Sequence, residues 1–402
     1  MRVLSKSTMK YTSSLSSFMH CVAFGLLIVG CGSRQIQSEK TVLEMEPVVV
    51  EVTKKDGKNV IETFDAFSLF ESAKEFYEQN QFEKCIDDYT QLLDRFPKSR
   101  FALVALFNRG LCLEEALRHN AAANDFRLYI ERAKKPSDRL DGQYRWGFNL
   151  VESGNYPIAV KLYDELLTRV NIGHFDRAEA HLRRGISLAK MHQFARGEGD
   201  IRAALKWIKK ETGEQIVGND LAAECHYRKG EIYGELSSKV RLKLPLKSME
   251  GDLQSKIRFF RQSQSSYIDT LNVRSSYWAT AAGLKLGELY ESFYNDVVKA
   301  DVPKDFDETM RKYYLLELKD KLQPVLTHSV KIYERNIAMG LRLGAENQWI
   351  KETELRLEKL RALIEENEKA AQTARETAGE PEAMEAQPRP TRRSKAKTAE
   401  QR

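Results

Sequence analysis

A recurring spacing of small and aromatic residues constrains this chain more than any other feature of its sequence. In residues 66–97, the small residues Ala73 and Cys85 lie twelve positions apart, with aromatic residues around them. Small residues allow two helices to approach closely, and aromatic rings fill the space beside the contact. Pro97 ends the second helix, because proline cannot donate a backbone hydrogen bond and clashes with the preceding turn. The segment is therefore predicted to form a helix-turn-helix pair.

The same register recurs in three further segments, which begin at Leu103, Leu140 and Ala178. Their matching residues are Gly110, Leu113, Ala122, Phe126, Tyr129, Gly147, Leu150, Ala159, Tyr163, Leu166, Gly185, Leu188, Phe194, Gly197, Ile201 and Ala204. Because each segment matches at five or more positions, chance spacing in a plain helical bundle is a poor explanation. Repetition of this kind indicates stacked supersecondary units.

Two weaker matches follow. The fifth contains Gly230 and Tyr233, and its second helix is delayed by residues 241–248. A sixth is marked by Trp278, Gly287 and Tyr290.

This pattern resembles the tetratricopeptide repeat (TPR), which is about 34 residues long. With Ala66 counted as position 1, the characteristic TPR positions 8, 11, 17, 20, 24, 27 and 32 are occupied by Ala73, Phe76, Phe82, Cys85, Tyr89, Leu92 and Pro97. The resemblance implies an all-α fold, a TPR helix-turn-helix solenoid of five to six repeats over residues 65–300.

The repeat pattern fades beyond Asp301. The repeats are followed by a long amphipathic segment, from about 308 to 344. A final helix with an apolar stripe is predicted from 347 to about 368. We expect residues 301–368 to form a C-terminal helical cap, because the last repeat of a solenoid needs a polar outer layer. Residues 369–402 lose periodicity and become Ala/Glu/Pro-rich and then basic, which predicts a disordered basic tail.

The start of the chain has the features of an export signal. Three basic residues and no acidic residue precede the apolar run 21–29, which is too short to span a membrane. Residues 28–31, Ile-Val-Gly-Cys, resemble the lipobox of bacterial lipoproteins. That resemblance implies a signal peptide over residues 1–30 and acylation of Cys31, and the Gly32 that follows favours the outer membrane. Residues 31–64 are expected to be a lipid tether with at most one β-hairpin, through Asp56-Gly57.

The formal net charge of +6 is concentrated at the two ends. Residues 1–30 contribute +3 and residues 389–402 contribute +5, so the segment between them carries about −2. A nucleic-acid-binding protein carries its positive charge on the folded surface, so no nucleic-acid partner is expected. The basic tail has two interpretations: it binds an anionic cell-wall polymer or an acidic protein, or it only increases solubility.

Three cysteines besides Cys31 follow the predicted signal, and all fall in helical patterns: Cys85, Cys112 and Cys225. An odd number does not indicate a disulfide framework. We interpret the three as small buried core residues. A bridge between Cys85 and Cys112 is an alternative that the sequence does not predict.

No catalytic or metal-binding motif is recognisable. The seven histidines are scattered, and HExxH, CxxC, GxSxG and P-loop motifs are absent. His174 and His181 can share a helix face, but no carboxylate or cysteine pattern completes a metal site. We therefore expect no enzymatic activity, no metal and no cofactor.

The inner face of a TPR solenoid is lined by helix A, the first helix of each pair, and by its position 5 in particular. That position is occupied by Phe70, Phe107, Tyr144, Leu182 and Tyr227. The predicted partner-binding groove consists of Phe67, Phe70, Lys74, Tyr77, Phe107, Leu111, Tyr144 and Phe148. An apolar, aromatic groove is suited to an extended or helical peptide. The alternative is that some of these rings pack between repeats.

A lipobox followed by TPR segments resembles the outer-membrane TPR lipoproteins, including those of the β-barrel assembly machinery and of gliding-motility machinery in delta-proteobacteria. The resemblance implies a non-catalytic scaffold, anchored by lipid in the outer membrane and facing the periplasm, whose concave face binds proteins of an envelope complex. The alternative is a glycan-capture lipoprotein on a TPR-like helical scaffold. Such proteins insert aromatic-rich loops, whereas the one sizeable insertion here, 235–253, contains no aromatic residue.

Overall fold

The structure is a computed structural model that describes residues 47–55, 58–213 and 215–378. The predicted signal peptide, Cys31 and the basic end of the tail lie outside these residues. The chain divides into two compact units, unit 1 up to Arg228 and unit 2 from Lys229.

Helices dominate the described residues, and the predicted all-α fold is confirmed apart from one β-hairpin. The hairpin consists of β1 (Val48–Lys55) and β2 (Lys58–Asp65), which pair antiparallel. The helices are α1 (Ala66–Glu78), α2 (Phe82–Arg95), α3 (Ala102–Glu115), α4 (His119–Arg132), α5 (Pro136–Glu152), α6 (Tyr156–Leu167), α7 (His174–Lys190), α8 (Phe194–Thr212), α9 (Asp220–Lys239), α10 (Leu246–Val273), α11 (Ser276–Val298), α12 (Glu308–Leu343) and α13 (Gln348–Ala378). The boundary between the units falls within α9.

Unit 1 contains four helix-turn-helix pairs in which a small residue of helix A faces a large residue of helix B, the second helix of the pair. The facing residues are Gly110 and Phe126, Gly147 and Tyr163, and Gly185 and Ile201, each sixteen positions apart. In the first pair, Ala73 and Tyr89 have the same spacing and are both fully buried in one core. A Cβ atom added to Gly110 would lie 2.7 Å from the Phe126 ring. The two helices can therefore approach this closely only because helix A carries almost no side chain at the contact.

The turn between helix A and helix B has one geometry in all four pairs of unit 1. The fifteenth residue of each repeat lies in this turn and has a left-handed backbone, with φ from 58° to 80°. It is Asn80, Leu117, Gly154 or His192. The next backbone N–H bonds back to helix A, as Gln81 does to the Phe76 carbonyl at 2.8 Å. Only Gly154 lacks a Cβ, so the turns at Leu117 and His192 adopt a conformation that costs about 1 kcal/mol.

A disulfide joins the first two pairs. Cys85 of α2 and Cys112 of α3 are bonded, with their Cα atoms 6.3 Å apart, which is an ordinary separation for a disulfide. Both are fully buried, so their predicted place in the core is confirmed, whereas the prediction that they are unpaired is wrong. Spacing along the chain did not show that α2 and α3 bring these positions together. Cys225 is a buried free thiol, and burial raises its pKa.

One face of the hairpin packs against the helices of unit 1. Val49 and Phe64 pack on the core formed by α1 to α4. Arg95 of α2 forms an ion pair with Glu51, and its guanidinium lies 3.8 Å from the centre of the Phe64 ring. These contacts place the hairpin as an ordered element beside α2 rather than as a free segment of tether.

Unit 2 repeats the small-to-large contact with longer spacings. Gly230 of α9 faces Tyr267 of α10, and Gly287 of α11 faces Tyr333 of α12. These partners lie 37 and 46 residues apart in the sequence. A serine four residues before each tyrosine also bonds to the same glycine: Ser263 Oγ donates to the Gly230 carbonyl at 2.8 Å, and Ser329 Oγ donates to the Gly287 carbonyl at 3.0 Å.

The predicted C-terminal cap over residues 301–368 needs two corrections. Helix α12 is the second helix of the sixth pair, because Tyr333 packs on Gly287, so only α13 covers that pair. Helix α13 supplies Leu357 and Leu360 to a core shared with α11 and α12. It also continues to Ala378, so the predicted disorder of residues 369–378 is wrong. Strong helix formers and a Lys369–Glu365 ion pair of 2.6 Å support these last turns.

None of the helices in the described ranges combines the length and the apolar character that a membrane span requires.

We expect Gly287→Ala to lower the free energy of unfolding by about 1–3 kcal/mol, because the new methyl group would overlap the buried Tyr333 ring. This effect exceeds the gain of up to about 1 kcal/mol from replacing a helical glycine by alanine. The matched control is Gly251→Ala in α10, where an added Cβ meets no atom within 4 Å. The control should raise stability. Urea unfolding followed by circular dichroism measures both, and a stabilised Gly287→Ala protein would contradict the close contact.

Candidate functional site

A second register recurs on the first helices of pairs three, four and five. Position 2 is acidic and position 6 is arginine in each: Asp141 and Arg145 in α5, Glu179 and Arg183 in α7, and Glu224 and Arg228 in α9. We name these six residues the helix-A ladder. Residues four apart lie on one face of a helix, so the charges align along the neighbouring A helices of unit 1.

Arg183 is the centre of the ladder. It is buried and forms a bidentate ion pair with Glu224, with N–O distances of 2.8 and 3.0 Å. Its Nε atom lies 3.7 Å from the Glu179 carboxylate, and Arg228 approaches Glu224 at 3.3 Å. Burial alone would lower the pKa of Arg183, but the Glu224 and Glu179 carboxylates outweigh it and raise that pKa. The guanidinium therefore stays charged inside the protein.

The two buried carboxylates respond differently to the same surroundings. Burial raises the pKa of Glu179, and the charges of Arg183 and Arg145 offset this only in part. Burial also opposes ionisation of Glu224, but the charges and hydrogen bonds of Arg183 and Arg228 prevail and lower its pKa. Glu224 is thus the anion that neutralises Arg183, and Glu179 is the one that protonates first as pH falls.

Arg145 extends the network from pair three to pair two. It forms an ion pair with Glu114 of α3 at 3.0 Å, and Asn149 Nδ2 donates to the same carboxylate at 2.5 Å. Asn149 also contacts His119 Nδ1 at 3.0 Å. Because Glu114 is largely buried, its pKa is raised, although Arg145 and Asn149 oppose the shift. Charged contacts thus connect the pairs as well as the two helices within a pair.

Polar bridges also join helix A to helix B within three pairs of unit 1. Each spans sixteen positions: Ser72 to Asp88 at 2.6 Å, Arg109 to Asp125 at 2.7 and 2.8 Å, and Arg184 to Asp200 at 2.7 and 2.6 Å. Burial would raise the pKa of Asp200, but hydrogen bonds from His181 and Arg184 outweigh it and lower that pKa. His181, which lies on α7 with His174, has its Nδ1 atom 3.0 Å from Asp200.

Four of the eight predicted groove residues are inaccessible to a partner, and for them the prediction of a lining role is wrong. They are Phe70, Tyr77, Phe107 and Leu111, each at most 7% exposed. The aromatic rings pack within unit 1. The ring centre of Phe70 lies 5.7 Å from that of Tyr89, and the ring centre of Phe107 lies 4.9 Å from that of Tyr129. Large side chains at and near position 5 are therefore used to pack the core.

The other four predicted residues reach the surface. Phe67 is 54% exposed, and Lys74, Tyr144 and Phe148 are partly exposed. Tyr144 and Phe148 lie on α5, on either side of Arg145 in sequence. The Tyr144 hydroxyl donates to the Asp176 carbonyl at 2.8 Å, and the Phe148 ring centre lies 5.2 Å from the Arg183 guanidinium. These two rings therefore border the helix-A ladder, and their role in binding stays a prediction.

The helix-A ladder is a set of charges that compensate one another. The ladder consists of carboxylates and guanidinium groups that neutralise each other, and the pKa of the buried Cys225 thiol beside Glu224 is raised by burial. In the part of the chain that the structure describes, no three His, Cys, Asp or Glu side chains are grouped to hold a metal ion. The ladder can fix the neighbouring pairs in one relative position and present the rings of α5 at a charged surface.

Comparison with known proteins gives a family match over one helical pair. The Tetratricopeptide repeat family model matches residues 68–99, which cover most of α1 and all of α2. No curated protein sequence matches the chain.

Several solved structures are similar at low identity. The C-terminal part of a TPR repeat-containing protein from Cytophaga hutchinsonii is 14% identical over 75% of this chain and 98% of its own, with a TM-score of 0.37. A tetratricopeptide repeat protein from Parabacteroides merdae is 14% identical over 73% of this chain and 98% of its own, with a TM-score of 0.36. A Rap protein complexed with competence and sporulation factor is 13% identical over 75% and 76%, with a TM-score of 0.39. Similarity at these values carries no information on function.

We expect Glu224→Gln to lower the free energy of unfolding of unit 1 by about 3 kcal/mol, because it leaves the buried Arg183 guanidinium without its main counter-charge. The matched control is Glu131→Gln, which removes an exposed ion pair with Arg127 and should change stability by less than about 0.5 kcal/mol. Urea unfolding measures both variants. If Glu224→Gln were as stable as Glu131→Gln, the ladder would not be what holds unit 1 together.

Proposed function

We propose that this chain is a non-catalytic, lipid-anchored scaffold that binds partner proteins of a cell-envelope complex through the helix-A side of unit 1. The TPR-type fold suggests protein–protein interaction. The observation that carries the proposal is the placement of two partly exposed rings, Tyr144 and Phe148, against the helix-A ladder. Tyrosine and arginine are enriched among the residues that dominate binding energy at protein interfaces.

The ladder supports this function by holding the surface rigid before a partner arrives. Arg183 is fixed by two hydrogen bonds to Glu224, and Arg145 is fixed by Glu114. Side chains that are already ordered lose less conformational entropy on binding, which strengthens the complex. We therefore place the partner on α5 and α7 rather than on α1 and α3, which supply the other residues of the groove that the sequence predicts.

Export and anchoring rest on two separate observations. The lipobox-like residues 28–31 assign the lipid to Cys31, and Gly32 favours the outer membrane, with unit 1 on the periplasmic side. The Cys85–Cys112 disulfide supports export, because disulfides form and persist in oxidising compartments such as the periplasm. A motility machine and an outer-membrane assembly machine remain the two classes of complex that this function fits.

The glycan-capture alternative gains no support from the insertion on which it depends. Residues 235–253 form the end of α9, a short connection and the start of α10, and they contain no aromatic residue. Sugar rings are bound largely by flat aromatic surfaces, so this segment offers no such platform. Glycan binding is therefore kept as an outcome of the cross-linking experiment.

Anchoring is tested by metabolic labelling with an alkyne fatty acid. We expect Cys31→Ser to abolish the label and to leave an unprocessed precursor, because the thiol is the acylated atom. The matched control is Cys21→Ser, which removes a cysteine inside the predicted signal and should leave labelling unchanged. Loss of label in both variants, or in neither, would contradict acylation at Cys31.

Partner binding is tested with photo-cross-linking residues placed at Tyr144 and Phe148 in living cells. We expect both positions to capture one discrete partner protein, which mass spectrometry identifies. The matched control is Ile158, an exposed residue on the helix B of the same pair. Equal capture at Ile158 would contradict the assignment of this surface, and capture of glycan alone would favour the carbohydrate alternative.

A further inference from the structure

The hairpin β1–β2 has a free face that carries an apolar patch. Its exposed large side chains are Val48 (54%), Val50 (59%), Val52 (63%) and Ile61 (68%). The strand register places Val52 opposite Ile61 and Val50 opposite Thr63, so these side chains form one continuous patch. Side chains on the opposite face, such as Val49 and Phe64, are the ones that pack on unit 1.

Both faces of the hairpin carry charged residues, because the register also puts Lys55 and Lys58 on the face of Glu51 and Glu62. The acidic residues Glu51 and Glu62 occupy the face that is turned towards unit 1, where Glu51 pairs with Arg95. The free face carries the exposed Lys54 beside the apolar patch. Its one acidic residue is Asp65 at the base, whose carboxylate caps α1 by accepting a hydrogen bond from the Ser68 N–H at 2.9 Å. The free face thus combines apolar side chains with a basic end.

The free face is also close in sequence to the proposed lipid. Sixteen residues separate Cys31 from Val48. A chain of this length spans at most about 60 Å when fully extended, so an acylated Cys31 confines the hairpin to the neighbourhood of the membrane. Confinement raises the effective concentration of lipid at the hairpin, so a weak affinity is sufficient for contact.

We propose that the free face of β1–β2 is a second membrane contact, which lies on an anionic lipid surface and orients unit 1 relative to it. This inference rests on acylation of Cys31 in the proposed function. Apolar side chains enter the boundary between headgroups and acyl chains, and a neighbouring lysine is attracted to anionic headgroups.

The experiment uses the acylated protein, purified in detergent and reconstituted into vesicles of phosphatidylethanolamine and phosphatidylglycerol at 3:1. An environment-sensitive fluorophore is attached to Val50→Cys. Cys85 and Cys112 are bonded and Cys225 is buried, so the new cysteine is the reactive one. Brominated phospholipids then quench the fluorophore only if it enters the bilayer. The matched control carries the label at Val170→Cys, a residue of unit 1 that is 89% exposed.

We expect strong quenching at position 50 and none at position 170. The double substitution Val52→Asp/Ile61→Asp should reduce quenching at position 50 at least fivefold, because it places charge in the apolar patch. Lys54→Glu should reduce it about twofold in anionic vesicles and leave it unchanged in neutral ones. Circular dichroism confirms that the variants are folded, which exposed positions should permit.

Three outcomes would overturn the inference. An acylated protein that floats with the vesicles but shows no quenching at position 50 would refute the hairpin contact and leave the lipid anchor intact. A protein that lacks a fatty acid by mass spectrometry and does not float would refute the anchor, and the inference with it. Energy transfer between labelled copies, without quenching by lipid, would show that a second copy of the chain covers the free face.

Discussion

The contact between a residue with almost no side chain and a large ring determines how this protein is built. At Gly110 and Phe126, Gly147 and Tyr163, and Gly287 and Tyr333, the ring of helix B fills the space that the glycine leaves. The contact fixes the distance between the two helices, and the turn must adopt a backbone conformation that allows this distance. This is why Leu117 accepts a left-handed backbone that an isolated peptide would avoid. The core, the turns and the neighbouring pairs are all consequences of this packing.

The sequence predicted the four pairs of unit 1 well, because their small and large residues keep one spacing of sixteen positions. In unit 2 it found the helices that carry Gly230 and Gly287 as two weaker repeats, but it did not identify the large residues that face these glycines, for a physical reason. Longer helices α10 and α12 keep the contact but shift Tyr267 and Tyr333 to 37 and 46 residues after their glycines, so a fixed period no longer finds them. A search for an aromatic residue four positions after a serine, with a glycine far upstream, would have found both.

The candidate site was predicted less well than the fold. Burial cannot be read from position numbers alone, and large residues such as Phe70 and Phe107 were assigned to a groove although they pack the core. The charged ladder was visible in the sequence as an acid followed four residues later by arginine, three times in one register. Position alone does not distinguish such a ladder from an ordinary solvated helix face, because charged residues are usually exposed. The Cys85–Cys112 disulfide could not be predicted from the spacing of residues, because it depends on contact between neighbouring pairs.

The helix-A ladder also has a consequence for how such a protein can evolve. Pairs with the same turn and the same internal contact are in principle interchangeable modules, which a gene can duplicate or lose. In unit 1, however, Glu114 of pair two is the ion-pair partner of Arg145 in pair three, and Glu224 of pair five is the partner of Arg183 in pair four. Removal of pair two or pair five would therefore leave a guanidinium without its counter-charge. The ion pairs between neighbouring pairs therefore restrict which modules can be lost or reordered more strictly than the helical packing does.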